Sequence, residues 1–318
     1  MKFISSILCL ILLPSCASTQ TVVVPVSSAT STIRPSLEPT STSIPPTRTA
    51  TIPPTATQTS TSIPCDPRAA DFCITDGQFV FQRPILSPGN DSVDRTYPFA
   101  STADGTRDPH RGVELVNEFG TPVHAAGDGV VLFAGADKEA VYSPWMDYYG
   151  NLVVIQHEDN LFTLYAHLSR IDVQAGDIVQ AGDKIGGVGQ SGVAIGSHLH
   201  FEVRRGDVED YFSNVNPELW LLPSKSDFGA LAISIQNANS TFQRAKITLQ
   251  QYSASGEIVG LSYLDTYHPT LALGDENAGI NDLPAGRYRI TLIVNAGFYE
   301  RWVEVQSGKL TQVVIVVK

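Results

Sequence analysis

The chain reads as all-β: a folded antiparallel sheet or sandwich followed by a second, C-terminal β-sandwich. Three observations predict this. Charged residues make up only 17% of 318, against 25 Gly and 20 Pro, a balance that suits strands and turns better than long helices. Short apolar runs alternate with turn chemistry throughout residues 65–318. No segment sustains a helical period. The formal net charge of −11 argues against nucleic acid as a partner.

The first residues read as an address. Met1-Lys2 gives a short positive start, and Phe3 to Leu13 is an apolar run too short for a comfortable membrane span. Leu13-Pro14-Ser15-Cys16 then resembles the lipobox of a bacterial lipoprotein signal. That resemblance implies a signal segment over 1–16, cleavage before Cys16 and a lipid on its thiol. An ordinary secretory signal cut near Ala17 is the other reading. Both imply export, where disulfides are permitted. Residues 17–64 are Ser, Thr and Pro with almost no aromatic or charged side chains, as in Pro45-Pro46-Thr47 and Ile52-Pro53-Pro54. Such a stretch cannot build a core and reads as an extended, disordered stalk or plain linker.

Order is expected from Cys65, and a first domain spans 65–225. Cys65 and Cys73, with seven residues between them, are expected to form a disulfide. Strands are predicted over Gly129-Val130-Val131-Leu132-Phe133, Asn151-Leu152-Val153-Val154-Ile155, Leu161-Phe162-Thr163-Leu164-Tyr165 and Phe201-Glu202-Val203. Gly127-Asp128-Gly129, Gly176-Asp177 and Gly182-Asp183 supply turns between them. Asn216 caps a short helical turn that begins at Pro217, and Pro223-Ser224-Lys225-Ser226 marks a boundary. The second domain, 227–318, contains Ala230-Leu231-Ala232-Ile233 and ends in Val313-Val314-Ile315-Val316-Val317. Its stretch Leu283-Pro284-Ala285-Gly286-Arg287-Tyr288 resembles a strand of transthyretin-like, carboxypeptidase-regulatory-type sandwiches.

The chemistry concentrates in the first domain. Four of the seven histidines fall in Asp108-Pro109-His110-Arg111-Gly112-Val113-Glu114, Tyr165-Ala166-His167-Leu168 and Ser197-His198-Leu199-His200-Phe201. On a strand, residues i and i+2 share a face, so His198 and His200 project together. Imidazoles are the commonest metal ligands and the usual general bases near neutral pH. A catalytic zinc takes three protein ligands and keeps one position open.

These segments, with Gly120-Thr121-Pro122-Val123, Ala126-Gly127-Asp128-Gly129, Tyr149-Gly150-Asn151 and Val188-Gly189-Gln190-Ser191-Gly192, resemble the M23-type zinc metallopeptidases in order and content. This is the lysostaphin/LytM class of peptidoglycan endopeptidases. The resemblance implies that His110, Glu114 and His200 hold Zn2+ and that His167 and His198 are the catalytic histidines, with peptidoglycan peptides as substrate. The motif usually carries Asp where this chain has Glu114, one methylene longer. A non-catalytic relative that binds wall peptide or regulates another hydrolase is the alternative.

Other candidates are weaker. His157 reads as a structural hydrogen bonder, His124 as a packing or groove-wall residue and His268 as a loop residue. Tyr165 and Asn117 are candidate cleft residues but more often structural. Gly192 and Gly196 fit either close approach of a peptide or ordinary turns. The Gly176–Gly189 stretch also resembles carrier half-motifs around Lys184, but export removes a carrier's partners. Phe298, Tyr299 and Trp302 read as packing of the second sandwich.

Overall fold

A computed structural model describes residues 64–272 and 274–318. The expected signal segment, Cys16 and nearly all of the Ser/Thr/Pro stretch lie outside the described residues. Among them no helix is long and apolar enough to cross a membrane. The regular structure of the described residues is strand, apart from three short 3-10 turns.

The chain runs through β1 (Cys73–Thr75), β2 (Val113–Val116), β3 (Pro122–His124), β4 (Gly129–Ala136) and β5 (Asn151–Gln156). It continues through β6 (Leu161–Ala166), β7 (Arg170–Ile171), β8 (Ile178–Val179), β9 (Lys184–Gly187), β10 (His198–Arg205) and β11 (Asn214–Val215). A 3-10 turn at Pro217–Leu219 follows, and the Asn216 side chain accepts from Glu218 N as its cap. Then come β12 (Phe228–Asn237), β13 (Lys246–Tyr252), β14 (Ile258–Asp265), β15 (Ala278–Pro284), β16 (Gly286–Val294), β17 (Gly297–Val305) and β18 (Leu310–Val317).

A seven-stranded antiparallel sheet has the order β11-β10-β6-β5-β4-β8, with β2 following β11 along the edge of β10 away from β6. Its two faces are covered differently because β10 alternates. Leu199, Phe201 and Val203 point into a core shared with Val113, Leu115, Val153 and Ile155. His198, His200, Glu202 and Arg204 take the opposite face, beside a smaller core of Tyr149, Leu152, Val154 and Leu164. β3, β9 and β7 form a small separate sheet.

In the C-terminal part, sheets β1-β18-β12-β15 and β14-β13-β16-β17 face each other. Ile233 and Ile235 of β12, Val313 and Ile315 of β18, and Ile290 and Leu292 of β16 fill the space between. One pairing departs from the antiparallel pattern: β12 and β18 are parallel from Ala230↔Leu310 to Asn237↔Val317. The strands between them in sequence, β15 excepted, build the facing sheet, so the chain returns in its original direction.

The two parts share contacts. β1 pairs with β18, and Cys65–Cys73, disulfide-bonded with Cα atoms 5.7 Å apart, closes the loop before it. Tyr267 and Leu271 enter the core beneath β10. Buried Arg83 bonds Asp282 at 2.7 Å and the Leu222 carbonyl at 2.9 Å.

Candidate metal centre and active site

The site is built where β2 meets β10. Their register sets Glu114 opposite His200 and Val116 opposite His198. Close approach requires Gly112: a Cβ there would lie 2.4 Å from the Phe201 carbonyl and 3.0 Å from the His200 ring. His110 enters from the segment just before β2, its ring stacked on Tyr97 with centroids 4.1 Å apart.

Three atoms converge. His110 Nε2 is 2.9 Å from Glu114 Oε1 and 3.2 Å from His200 Nδ1, and His200 Nδ1 is 3.1 Å from the same carboxylate oxygen. This group could hold a metal ion. The rear nitrogens explain why. His110 Nδ1 faces the Pro98 carbonyl at 3.3 Å, and His200 Nε2 faces Glu202 Oε1 at 3.1 Å. Without a cation, His200 carries a proton toward each of Glu114 and Glu202. With one bound, each rear N–H would donate to its oxygen and the two front nitrogens would turn lone pairs toward the ion. Three electron-rich atoms then face one point, a donor set that fits a cation. Tetrahedral ligands about 2.1 Å from a zinc ion stand about 3.4 Å apart, near the edges seen here. Glu114 Oε2 sits 3.0 Å from His198 Nε2 but off the line of a hydrogen bond, a buried oxygen without a partner.

Behind His200 lies a buried network. Glu202 accepts from Tyr149 Oη at 2.6 Å, Arg204 Nε at 2.9 Å and Asn214 Nδ2 at 2.7 Å. Burial opposes its charge, but Arg204 and the bonds from His200 and Tyr149 hold its carboxyl down to about 2. Burial also works against a charged His200, yet Glu114 and Glu202 on its two nitrogens outweigh it and hold it up to about 10. Glu114 is held well below the usual carboxylate range: burial opposes this, while the charge on His200 and the proximity of the His110, His198 and His200 imidazoles prevail.

His167 and His198 stand beside the cluster, with ring centroids 5.0 Å apart. His167 follows β6 directly, next to Ala166, which pairs with His200. Its φ is +60°, a left-handed conformation that a non-glycine residue rarely adopts. Its Nδ1 donates to the Ser191 carbonyl at 2.9 Å. Burial first, then the charge on His200, push its pKa down to about 3, so it is neutral at physiological pH. His198 Nδ1 faces the Gly196 carbonyl at 3.1 Å. A cleft of about 790 Å³ opens over all five residues, with Tyr97, Arg107, Trp145 and Tyr148 also in its walls.

The weaker candidates go elsewhere. Tyr165 does not line the cleft: it is fully buried and its hydroxyl accepts from Ala126 N at 2.7 Å. His157 bridges the Asp128 carbonyl and Thr163 Oγ1, as a structural residue would. His268 caps a 3-10 turn, and Asn117 ties two loops by bonding Asn90. His124 lies on β3, outside the cleft lining. Gly192 is needed for the chain's own packing, since a Cβ there would lie 2.5 Å from Gly150 N and from the Tyr148 carbonyl. Lys184 pairs with Asp172 at 3.2 Å.

Comparison with known proteins matches the model of peptidase family M23 to residues 108–216. The chain carries an M23 domain. The matched span contains every residue of the convergent cluster and both flanking histidines. The DD-carboxypeptidase/endopeptidase Mpg of Neisseria meningitidis serogroup B is 36% identical over 141 residues, 43% of this chain and 29% of its own length. The peptidoglycan DD-endopeptidase ShyA of Vibrio cholerae is 41% identical over 95 residues, 30% of this chain and 20% of its own. The chain thus spans less than a third of either. A catalytic-domain mutant of the prophage-encoded M23 protein EnpA of Enterococcus faecalis is 31% identical, with 43% of this chain and 95% of that one covered at TM-score 0.36.

Proposed function

We propose that the M23 domain is a zinc-dependent endopeptidase acting on peptidoglycan peptides outside the cytoplasm, on a chain anchored by lipid at Cys16. The observation that carries this reading is the His110–Glu114–His200 triangle, open to a cleft, with two further histidines beside it. Relatives named as peptidoglycan DD-endopeptidases support the substrate class.

His110 Nε2, Glu114 Oε1 and His200 Nδ1 would hold the ion. Bound there, zinc supplies Lewis acidity and lowers the pKa of a water toward neutrality. His167, neutral and fixed through Nδ1 by Ser191, accepts a proton on its remaining nitrogen. His198, oriented through Nδ1 by Gly196, uses Nε2 to stabilise charge on the scissile carbonyl oxygen and to assist the leaving amine. The cleft walls exclude water and orient the peptide.

The test incubates the zinc-loaded chain with isolated peptidoglycan and reads the fragments by mass spectrometry, with a chelated sample and His198→Ala as controls. New amine termini that vanish in both controls are expected. Intact peptidoglycan beside a zinc-loaded protein would favour the non-catalytic binding module instead.

A further inference from the structure

The described cleft lining contains one basic side chain of the Lys/Arg type, Arg107. It joins none of the ion pairs of the described residues. Its guanidinium carbon lies 5.2 Å from the centre of the Tyr97 ring, and Tyr97 in turn stacks on His110. The charge therefore sits one ring away from the metal-binding cluster. Besides Glu114 in the metal-binding cluster, two carboxylates share the wall, Asp94 and Asp108. Asp94 Oδ1 is already held by Thr96 N and Thr96 Oγ1, each at 2.8 Å. A guanidinium held on an aromatic ring and left without an anion offers forked donors that match a carboxylate.

We propose that Arg107 binds a free carboxylate of the substrate beside the bond that is cut. The cleft then selects peptides with an acid group there over uncharged bridges such as oligoglycine. This rests on the peptidase reading above. A carboxylate on the carbon that bears the scissile nitrogen is only three bonds from the scissile carbonyl carbon, a reach that matches a cation one ring from the metal cluster. Such a group is present when the leaving residue is a C-terminal amino acid, or the acidic centre of a branched diamino acid. It is absent inside a glycine chain. The alternative role for an exposed arginine, a surface ion pair, has no partner here.

The experiment uses the zinc-loaded full chain and three probes: diacylated Lys-D-Ala-D-Ala, its C-terminal carboxamide, and pentaglycine. Affinities are measured in the His198→Ala background, where the probes persist, and turnover is measured on wild type. Binding of the acid should be at least about tenfold tighter than of the carboxamide or pentaglycine, the worth of one charge-assisted hydrogen bond. Arg107→Gln should abolish that difference and Arg107→Lys should restore part of it, with zinc content unchanged in both. Equal affinity for acid and carboxamide, or a preference that survives Arg107→Gln, overturns the proposal. An acid preference in binding with no turnover by wild type of any probe or of isolated peptidoglycan would retain Arg107's role and reject the peptidase reading.

Discussion

Glu114 reaches two imidazoles with one oxygen because β2 places it directly opposite His200. Shortening it should withdraw that oxygen. Glu114→Asp is expected to weaken zinc binding by about tenfold or more, read by chelator competition; unchanged affinity would mean that β2 can move to compensate. His200→Ala should abolish binding. The same residues set the acid sensitivity of the metal-free fold. Glu202 has a folded pKa near 2, so its contribution is complete above its ordinary value near 4.5 and is lost as pH falls toward 2. His167, pushed down to about 3, stays neutral in the fold while the unfolded chain takes up a proton below about 6.5. Both make stability fall with acid, first from pH about 6.5 and then more steeply below about 4.5. His200, raised to about 10, acts in the other direction: its contribution is complete below about 6.5 and is lost as pH rises through 10. Thermal melts across pH 2–10 should therefore fall off at both ends, and a flat profile below pH 6 would contradict the burial of His167.

At the scale of the element, β10 is a single strand with two jobs. Its odd residues Leu199, Phe201 and Val203 are core, and its even residues run from His198 through His200 and Glu202 to Arg204. Replacing Glu202 with Gln leaves Arg204 buried without its anion and weakens the acceptor behind His200. Zinc affinity should fall by about 10–100-fold, again measured by competition, while Tyr149→Phe, which removes only one hydroxyl, should lose less. The partner strand depends on Gly112. Gly112→Ala would drive a methyl into the Phe201 carbonyl and should destabilise the protein by roughly 1–3 kcal/mol, seen in urea unfolding, with zinc binding weakened in parallel.

Across the whole molecule, the M23 domain and the C-terminal sheets are joined by buried polar contacts as well as by Tyr267 and Leu271. Arg83, nearly buried, holds Asp282 and the Leu222 carbonyl. Glu218, 2% exposed, accepts from Arg95 and from Asn281 N at 2.9 Å. Arg83→Ala takes the cation from the partly buried Asp282, which keeps its bond from Ser224 N, and should cost about 1–3 kcal/mol. Differential scanning calorimetry should show wild type unfolding in one transition and Arg83→Ala at a lower temperature. Two separate transitions in wild type would show that these contacts couple the parts only weakly.

The resemblance carried by the motifs and their order implied the five candidate site residues, while period two on a strand put His198 and His200 alone on a common face; the structure brings all five to one cleft. The sequence also determined the all-β class, through turn residues between short apolar runs, and the capped turn at Asn216. Glu202 and Arg204 share the parity of His198 and His200, so their common face was readable, but the bonds they make were not. Tyr97, Arg107 and Tyr149 reach the site from loops distant in sequence, and no periodicity marks a loop residue. Tertiary structure alone decided that Glu114 faces His200, since strand register depends on both strands and on the space that Gly112 leaves. It decided too that Tyr165 turns into the core while His167, two residues on, turns to the cleft: β6 ends at Ala166, and the left-handed backbone at His167 breaks the alternation that a strand would impose.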